Sequence, residues 1–92
     1  MTGLWMDAYL PRFILYSRTY CHLCDDMLAA LRDVPEAASF AVEVIDVDAD
    51  EALVQAYDEL VPVLMGVGPD GVGRELCHYF LDRQAVQAFL AG

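Results

Sequence analysis

Residues 12–24 read Arg12-Phe13-Ile14-Leu15-Tyr16-Ser17-Arg18-Thr19-Tyr20-Cys21-His22-Leu23-Cys24. The first six are bulky and mostly apolar, and together they have the length of a strand. Near-continuous hydrophobicity of this kind suits a strand buried in a parallel sheet. Beyond the cysteines the period changes. Leu23, Met27 and Leu31 recur at i, i+4 and i+8 with Leu28 beside them, and Asp33 and Pro35 close the segment. That spacing predicts one face of an amphipathic helix. Asp25 and Asp26 fall in its early turns, where the helix dipole favours acids. A strand, a Cys-x-x-Cys junction and a helix thus follow one another directly.

Working outward, Phe40 to Val47 is β-branched and apolar and predicts a second strand. Asp48-Ala49-Asp50-Glu51 has the form of a helix cap with an acid three residues on. Leu53, Ala56, Tyr57 and Leu60 then line one face of a second helix. Val61-Pro62-Val63-Leu64-Met65 predicts a third strand that opens on proline, and Pro69-Asp70-Gly71 a turn. Arg74 to Phe80 predicts a fourth strand, joined to the third as a hairpin. Asp82 can cap a last helix, with Leu81 and Val86 as a hydrophobic staple and Val86, Phe89 and Leu90 toward the core. The order β-α-β-α-β-β-α requires a parallel first pair joined by a crossover and then an antiparallel hairpin. It predicts an α/β three-layer sandwich around a four-stranded mixed sheet. Residues 1–11 show no clean period and are expected to form a loosely ordered N-terminal segment before one domain at residues 12–92.

Composition agrees with a single core. The chain has 92 residues, 58% of them hydrophobic, and counting Gly in place of Tyr keeps it above the ~45–50% of ordinary domains. Three cysteines are too few for a disulfide-dense mini-protein. The longest run free of polar side chains, Val61 to Pro69, is far below the ~18–20 residues that cross a bilayer. Net charge is −10, and all five bases are Arg. Residues 22–59 carry eleven of the fifteen acids and only Arg32. Such a chain repels phosphate backbones and anionic lipid, so neither nucleic acid nor membrane is expected as a partner. The charge keeps an apolar domain in solution or, in a sharper reading, selects basic protein partners. No basic region followed by an apolar core marks a signal peptide, and the cysteine count is odd, which favours a reducing cytoplasm.

Chemistry concentrates at Cys21 and Cys24. One helical turn brings the two sulfurs within bonding reach, so the pair can cycle between dithiol and disulfide. The helix start supplies unpaired N–H groups and a positive dipole end, which stabilise a thiolate. Cys21, at the mouth, is the expected attacker, and Cys24, a turn inside, the resolving thiol. Arg18 can pair with the thiolate or an anionic substrate, or simply face solvent. A protonated His22 favours the thiolate, while Asp25 and Asp26 oppose it; the sequence leaves the net sign open. Pro62 reads as an ordinary strand-opening proline, except that it follows a Cys-x-x-Cys β-α-β unit.

With these residues in place the sequence resembles a glutaredoxin-like member of the thioredoxin-fold superfamily. Tyr16-Ser17-Arg18-Thr19-Tyr20-Cys21-His22-Leu23-Cys24 is similar to that family's Tyr-Ser-Lys/Arg-x-x-Cys-x-x-Cys entry, and Val61-Pro62-Val63 to its Val-Pro step. The resemblance covers residues 12–91. It implies a thiol-disulfide oxidoreductase with Cys21 as nucleophile and Cys24 as resolving thiol. It also implies a cis Pro62 facing the cysteines and Val61 offering backbone groups to a substrate, as in strand addition. Arg18, Tyr20 and His22 would complete the substrate-binding rim. No bound cofactor is implied; glutathione or another thiol would donate electrons, and the substrate would be a disulfide-containing protein or small thiol. Departures are specific. His22-Leu23 replaces the usual Pro-Tyr. Cys77-His78-Tyr79-Phe80-Leu81 stands where glutathione-binding members carry Gly-Gly, leaving Asp82 as an anchor or merely a helix cap. The buried acid of the thioredoxin branch is replaced by Leu15.

Two rival readings follow from the same residues. Cys-x-x-Cys is half of a zinc knuckle; neighbouring strand residues such as Cys77 and His78 point to opposite faces, so zinc or iron–sulfur binding would need a second chain, as in a dimer, or external thiols. Cys77 alone reads as a small hydrophobe and His78 as a surface or paired histidine. The other rival is a non-catalytic interaction domain that keeps the fold and a dispensable cysteine pair.

Overall fold

In a computed structural model that describes residues 11–91, the segment Arg12–Ser17 forms strand β1 at the centre of the sheet. Of the segment 1–11, only Pro11 lies within the described residues. The elements that follow are α1 (His22–Arg32), β2 (Val42–Asp46), a 3-10 turn (Val47–Ala49), α2 (Glu51–Tyr57), β3 (Val63–Val67), β4 (Gly73–His78) and α3 (Arg83–Ala91). The sheet order is β2-β1-β3-β4. β1 pairs in parallel with β2, from Phe13 opposite Val42 to Ser17 opposite Asp46. It pairs antiparallel with β3, and β3 with β4. The element order and the mixed four-stranded sheet are those the sequence predicts.

Alternation along β1 decides which helix lies on which face. Phe13 and Leu15 are buried and share a core cluster with Met27 and Leu31 of α1, Leu64 of β3 and Val86 of α3. Phe89 of α3 meets Phe13 edge-on at 5.5 Å between centroids. Tyr16 points the other way and stacks on Tyr57 of α2 at 4.6 Å. Helices α1 and α3 therefore cover one face and α2 the other, which makes three layers. Among the described residues no buried side chain is polar or charged, so the core carries no uncompensated desolvation cost. Each fully buried Leu, Met, Phe or Val contributes about 1.5–3 kcal/mol of transfer free energy.

Several predicted details shift. Leu23 does not face the core and remains 36% exposed. The helix begins at His22 with Cys21 as its cap, and Cys24 turns inward, so the buried stripe is Cys24, Met27 and Leu31. Asp48 does not cap α2. Asp50 does, accepting from the Ala52 N–H at 2.9 Å, while Asp46 caps the intervening 3-10 turn. Ala56 is exposed and α2 stops at Tyr57. β3 starts two residues later than predicted, because the Tyr57 carbonyl accepts from both Leu60 and Val61, holding Val61 in the turn off the helix; Pro62 has no N–H for the ladder. β4 ends at His78, where Tyr79 takes a left-handed backbone, φ 63°. The β3–β4 register slips by one residue between Leu64 and Met65. Leu76 and Cys77 consequently both pack against the core, as a bulge allows.

Candidate active site

The cysteines occupy the junction where β1 hands over to α1. Cys21 is the N-cap of α1 with an extended backbone, and Cys24 lies three residues on, inside the first turn. Their sulfurs are joined in a disulfide with the Cα atoms 5.2 Å apart. Cys21 is partly exposed, whereas Cys24 is 3% exposed. The Cys24 N–H donates to Cys21 Sγ at 3.1 Å, and the Asp25 N–H to the Cys21 carbonyl at 3.2 Å. Cys21 Sγ thus takes the place of the side-chain oxygen that usually caps a helix. In the reduced state the same N–H and the helix dipole favour a thiolate at that sulfur.

The residues around the pair have distinct surroundings. Tyr20, just before Cys21, has φ 60° and its side chain is fully exposed. Such a backbone in a bulky residue is uncommon. His22 is almost wholly exposed, with Nε2 3.5 Å from the Asp26 carboxylate. Arg18 faces two carboxylates. Its Nε and Nη2 donate to Asp48 at 3.0 and 2.9 Å, and Nη2 donates to Asp58 at 2.6 Å. These hydrogen bonds hold the guanidinium firmly charged and the Asp48 carboxyl below its ordinary range. Asp58 carried no sequence signal as a partner, and Asp48 was legible only as a helix-capping type.

Val61 and Pro62 lie at the same end of the sheet. The Val61–Pro62 peptide is cis and Pro62 is buried. Tyr16 pairs with Val63, so continuing the antiparallel register by one residue sets Ser17 beside Pro62. The Val61 N–H donates to the Tyr57 carbonyl at 3.1 Å, so a substrate strand that paired there would have to displace that bond. Tyr79 closes the far side: its N–H donates to the Pro62 carbonyl at 2.9 Å and its hydroxyl to the Glu59 carbonyl at 2.5 Å.

Cys77 is a free, half-buried thiol whose pKa burial pushes up, which makes it a poor nucleophile. His78 Nδ1 lies 3.0 Å from Glu75. Among the described residues no group of three or more His, Cys, Asp or Glu is placed to hold a metal ion. No helix among them is long and apolar enough to cross a membrane. A surface cavity of about 460 Å³ beside Val54, Asp58 and Leu60 is lined by neither cysteine.

Comparison with known proteins places this geometry. Residues 12–91 match the family described as Glutaredoxin-like domain (DUF836). The solution structure of protein Ne2328 from Nitrosomonas europaea is similar, with 39% identity over 87% of this chain and 91% of that one, at a TM-score of 0.74. Protein XcR50 from X. campestris is 38% identical over 86% of this chain and 95% of its own, at a TM-score of 0.65. Oxidised mitochondrial thioredoxin 3 from Saccharomyces cerevisiae, 17% identical over 98% of this chain and 87% of its own, shares the fold at a TM-score of 0.63. Among curated proteins the chain has no significant match. Fold, family and bonded Cys21–Cys24 pair together support a thiol-disulfide redox role. The chain belongs to the glutaredoxin-like domain family, within the thioredoxin fold.

Proposed function

We propose that this protein is a dithiol–disulfide oxidoreductase in which Cys21 attacks and Cys24 resolves. The observation that carries the reading is the asymmetry of the pair: a partly exposed sulfur at a helix N-cap bonded to one that is 3% exposed within the helix. Reduced Cys21, as thiolate, attacks one sulfur of a substrate disulfide. The substrate S–S bond breaks, its other sulfur leaves as a thiolate, and a mixed disulfide forms at Cys21. Cys24, deprotonated, then attacks Cys21 Sγ and releases the second substrate thiolate. Two electrons pass to the substrate, and the protein ends as the Cys21–Cys24 disulfide. Two equivalents of an external thiol return it to the dithiol and leave as that thiol's disulfide. Such a cycle suits a reducing compartment such as the cytoplasm.

The substrate backbone would lie along Val61 beside Pro62, exchanging the Val61–Tyr57 hydrogen bond for one to itself. Tyr20 and His22 flank its entry. Arg18 serves first as the tie between the loop after β1, the 3-10 turn and the end of α2. Cys24→Ser should halt the cycle at the mixed disulfide, and peptide mapping by mass spectrometry should place the adduct on Cys21. An adduct on Cys77, or none with any disulfide substrate, would contradict the assigned roles.

A further inference from the structure

The sheet register sets one group of side chains at the same end of the sheet as the disulfide. Tyr16, near the end of β1, pairs with Val63 at the start of β3, which pairs with His78 at the end of β4. The segment leaving β4 and the loop entering α1 therefore share one end of the molecule. Tyr20 and Leu23 stand on the loop and first turn, Tyr79 and Phe80 on the segment after β4, and all four are exposed; Phe80 is 70% exposed. The same end is acidic. Asp25 and Asp26 lie in the first turns of α1, Asp48 and Asp58 face Arg18, and Asp82 caps α3. Two bases stand against these five acids. Arg18 is already claimed by two of them, and Arg83 follows Asp82 directly.

We infer that this end selects polypeptide disulfides flanked by basic and apolar side chains, and rejects anionic ones such as glutathione disulfide. The inference rests on the exchange reading above and names its substrate class. An exposed Arg near the nucleophile would recruit a carboxylate. Here Asp48 and Asp58 neutralise it, and the remaining field repels anions and draws cations. Apolar side chains beside the substrate cysteine find the exposed rings of Tyr20 and Phe80. Rim charges act mainly on association and its salt dependence. Asp48 and Asp58 are thus specificity-determining residues, acting through Arg18.

The test uses protein reduced and freed of reductant, so that its own Cys21–Cys24 dithiol is the two-electron donor in a single turnover. The probes are the disulfide-linked dimer of a Lys-Phe-Cys-Phe-Lys peptide, its twin with Glu for Lys, a version with Ala for Phe, glutathione disulfide, and the neutral disulfide of mercaptoethanol. At low ionic strength the basic dimer should react roughly tenfold or more faster than its acidic twin. That ratio should shrink toward one at about 1 M salt, where the Debye length is ~3 Å. The Ala version should be severalfold slower than the Phe version. Asp48→Asn with Asp58→Asn should raise the rate on glutathione disulfide severalfold relative to the mercaptoethanol disulfide. If that variant does not fold, the salt series on the unaltered protein decides alone. Equal rates for the basic and acidic dimers, or glutathione disulfide outpacing the basic dimer, overturn the inference while leaving exchange itself intact. Silence toward every probe, the neutral one included, ends both readings.

Discussion

At the scale of single residues, Arg18 shows how structure redirects a legible charge. In the sequence it is the cation nearest Cys21; in the fold its guanidinium bridges Asp48 and Asp58. Those hydrogen bonds lower the Asp48 pKa, so the unfolded chain takes up that proton more readily than the folded one. Stability from the pair is then fully present above the ordinary carboxylate range of about 4 and is lost as pH falls through the lowered folded value. Arg18→Gln should therefore flatten the acid limb of stability against pH, read by urea unfolding at a series of pH values below neutrality. The flattening is partial, because Asp70 is lowered in the same direction by the Val72 N–H and Arg74. An unchanged acid limb would mean that the bridge adds nothing to folding. Tyr20 is a second case. Its left-handed backbone disfavours any residue but Gly, so Tyr20→Gly should leave stability unchanged or raise it by up to about 1 kcal/mol. The same variant should slow exchange with the Phe-containing peptide, and a drop in thermal stability would count against a conformation held there for binding.

Among the elements, β3 and α3 are joined by the absence of a side chain. A Cβ on Gly66 would sit 2.9 Å from ring carbons of Phe89, the ring that meets Phe13 edge-on. Gly66→Ala should cost about 1–3 kcal/mol by forcing the ring aside. Phe89→Leu in the same chain should recover part of that loss, giving a non-zero coupling in a double-mutant cycle from denaturant unfolding. Additive losses would mean that the ring does not bear on the strand. The elements also show what was legible. The strand of β1, the turn at Pro69 to Gly71, the cap at Asp82 and the order of all seven main elements follow from local pattern, because period and cap chemistry act within a few residues. Leu23 misled, since its i, i+4, i+8 spacing fits a helical face as well as the true stripe does. Only the cap at Cys21 and the bond to Cys24 set the phase. The later start of β3 depends on the Tyr57 carbonyl, six residues before Val63, accepting two N–H groups, and the slip in β4 on pairing with β3. The Asp58 contact spans forty positions. None of these leaves a mark on local sequence.

For the whole molecule, a net charge of −10 on a chain with a radius of gyration of 13.4 Å makes self-repulsion a standing cost. The exposed ion pairs offset little of it. Moderate salt should accordingly raise the melting temperature by screening repulsion; a fall would show that the Arg18 and Arg74 bridges outweigh the excess acids. The proposed cycle requires a reversible two-electron couple shared by one partly exposed and one buried sulfur at the start of α1. Redox titration of the intact protein, with thiols alkylated and counted by mass spectrometry at each potential, measures that couple. A single transition with a two-electron slope, ~30 mV per decade, is expected, in which Cys21 and Cys24 change together while Cys77 remains a thiol at every point. Separate titration of the two cysteines, pairing of either with Cys77, or failure of the disulfide to form would contradict it.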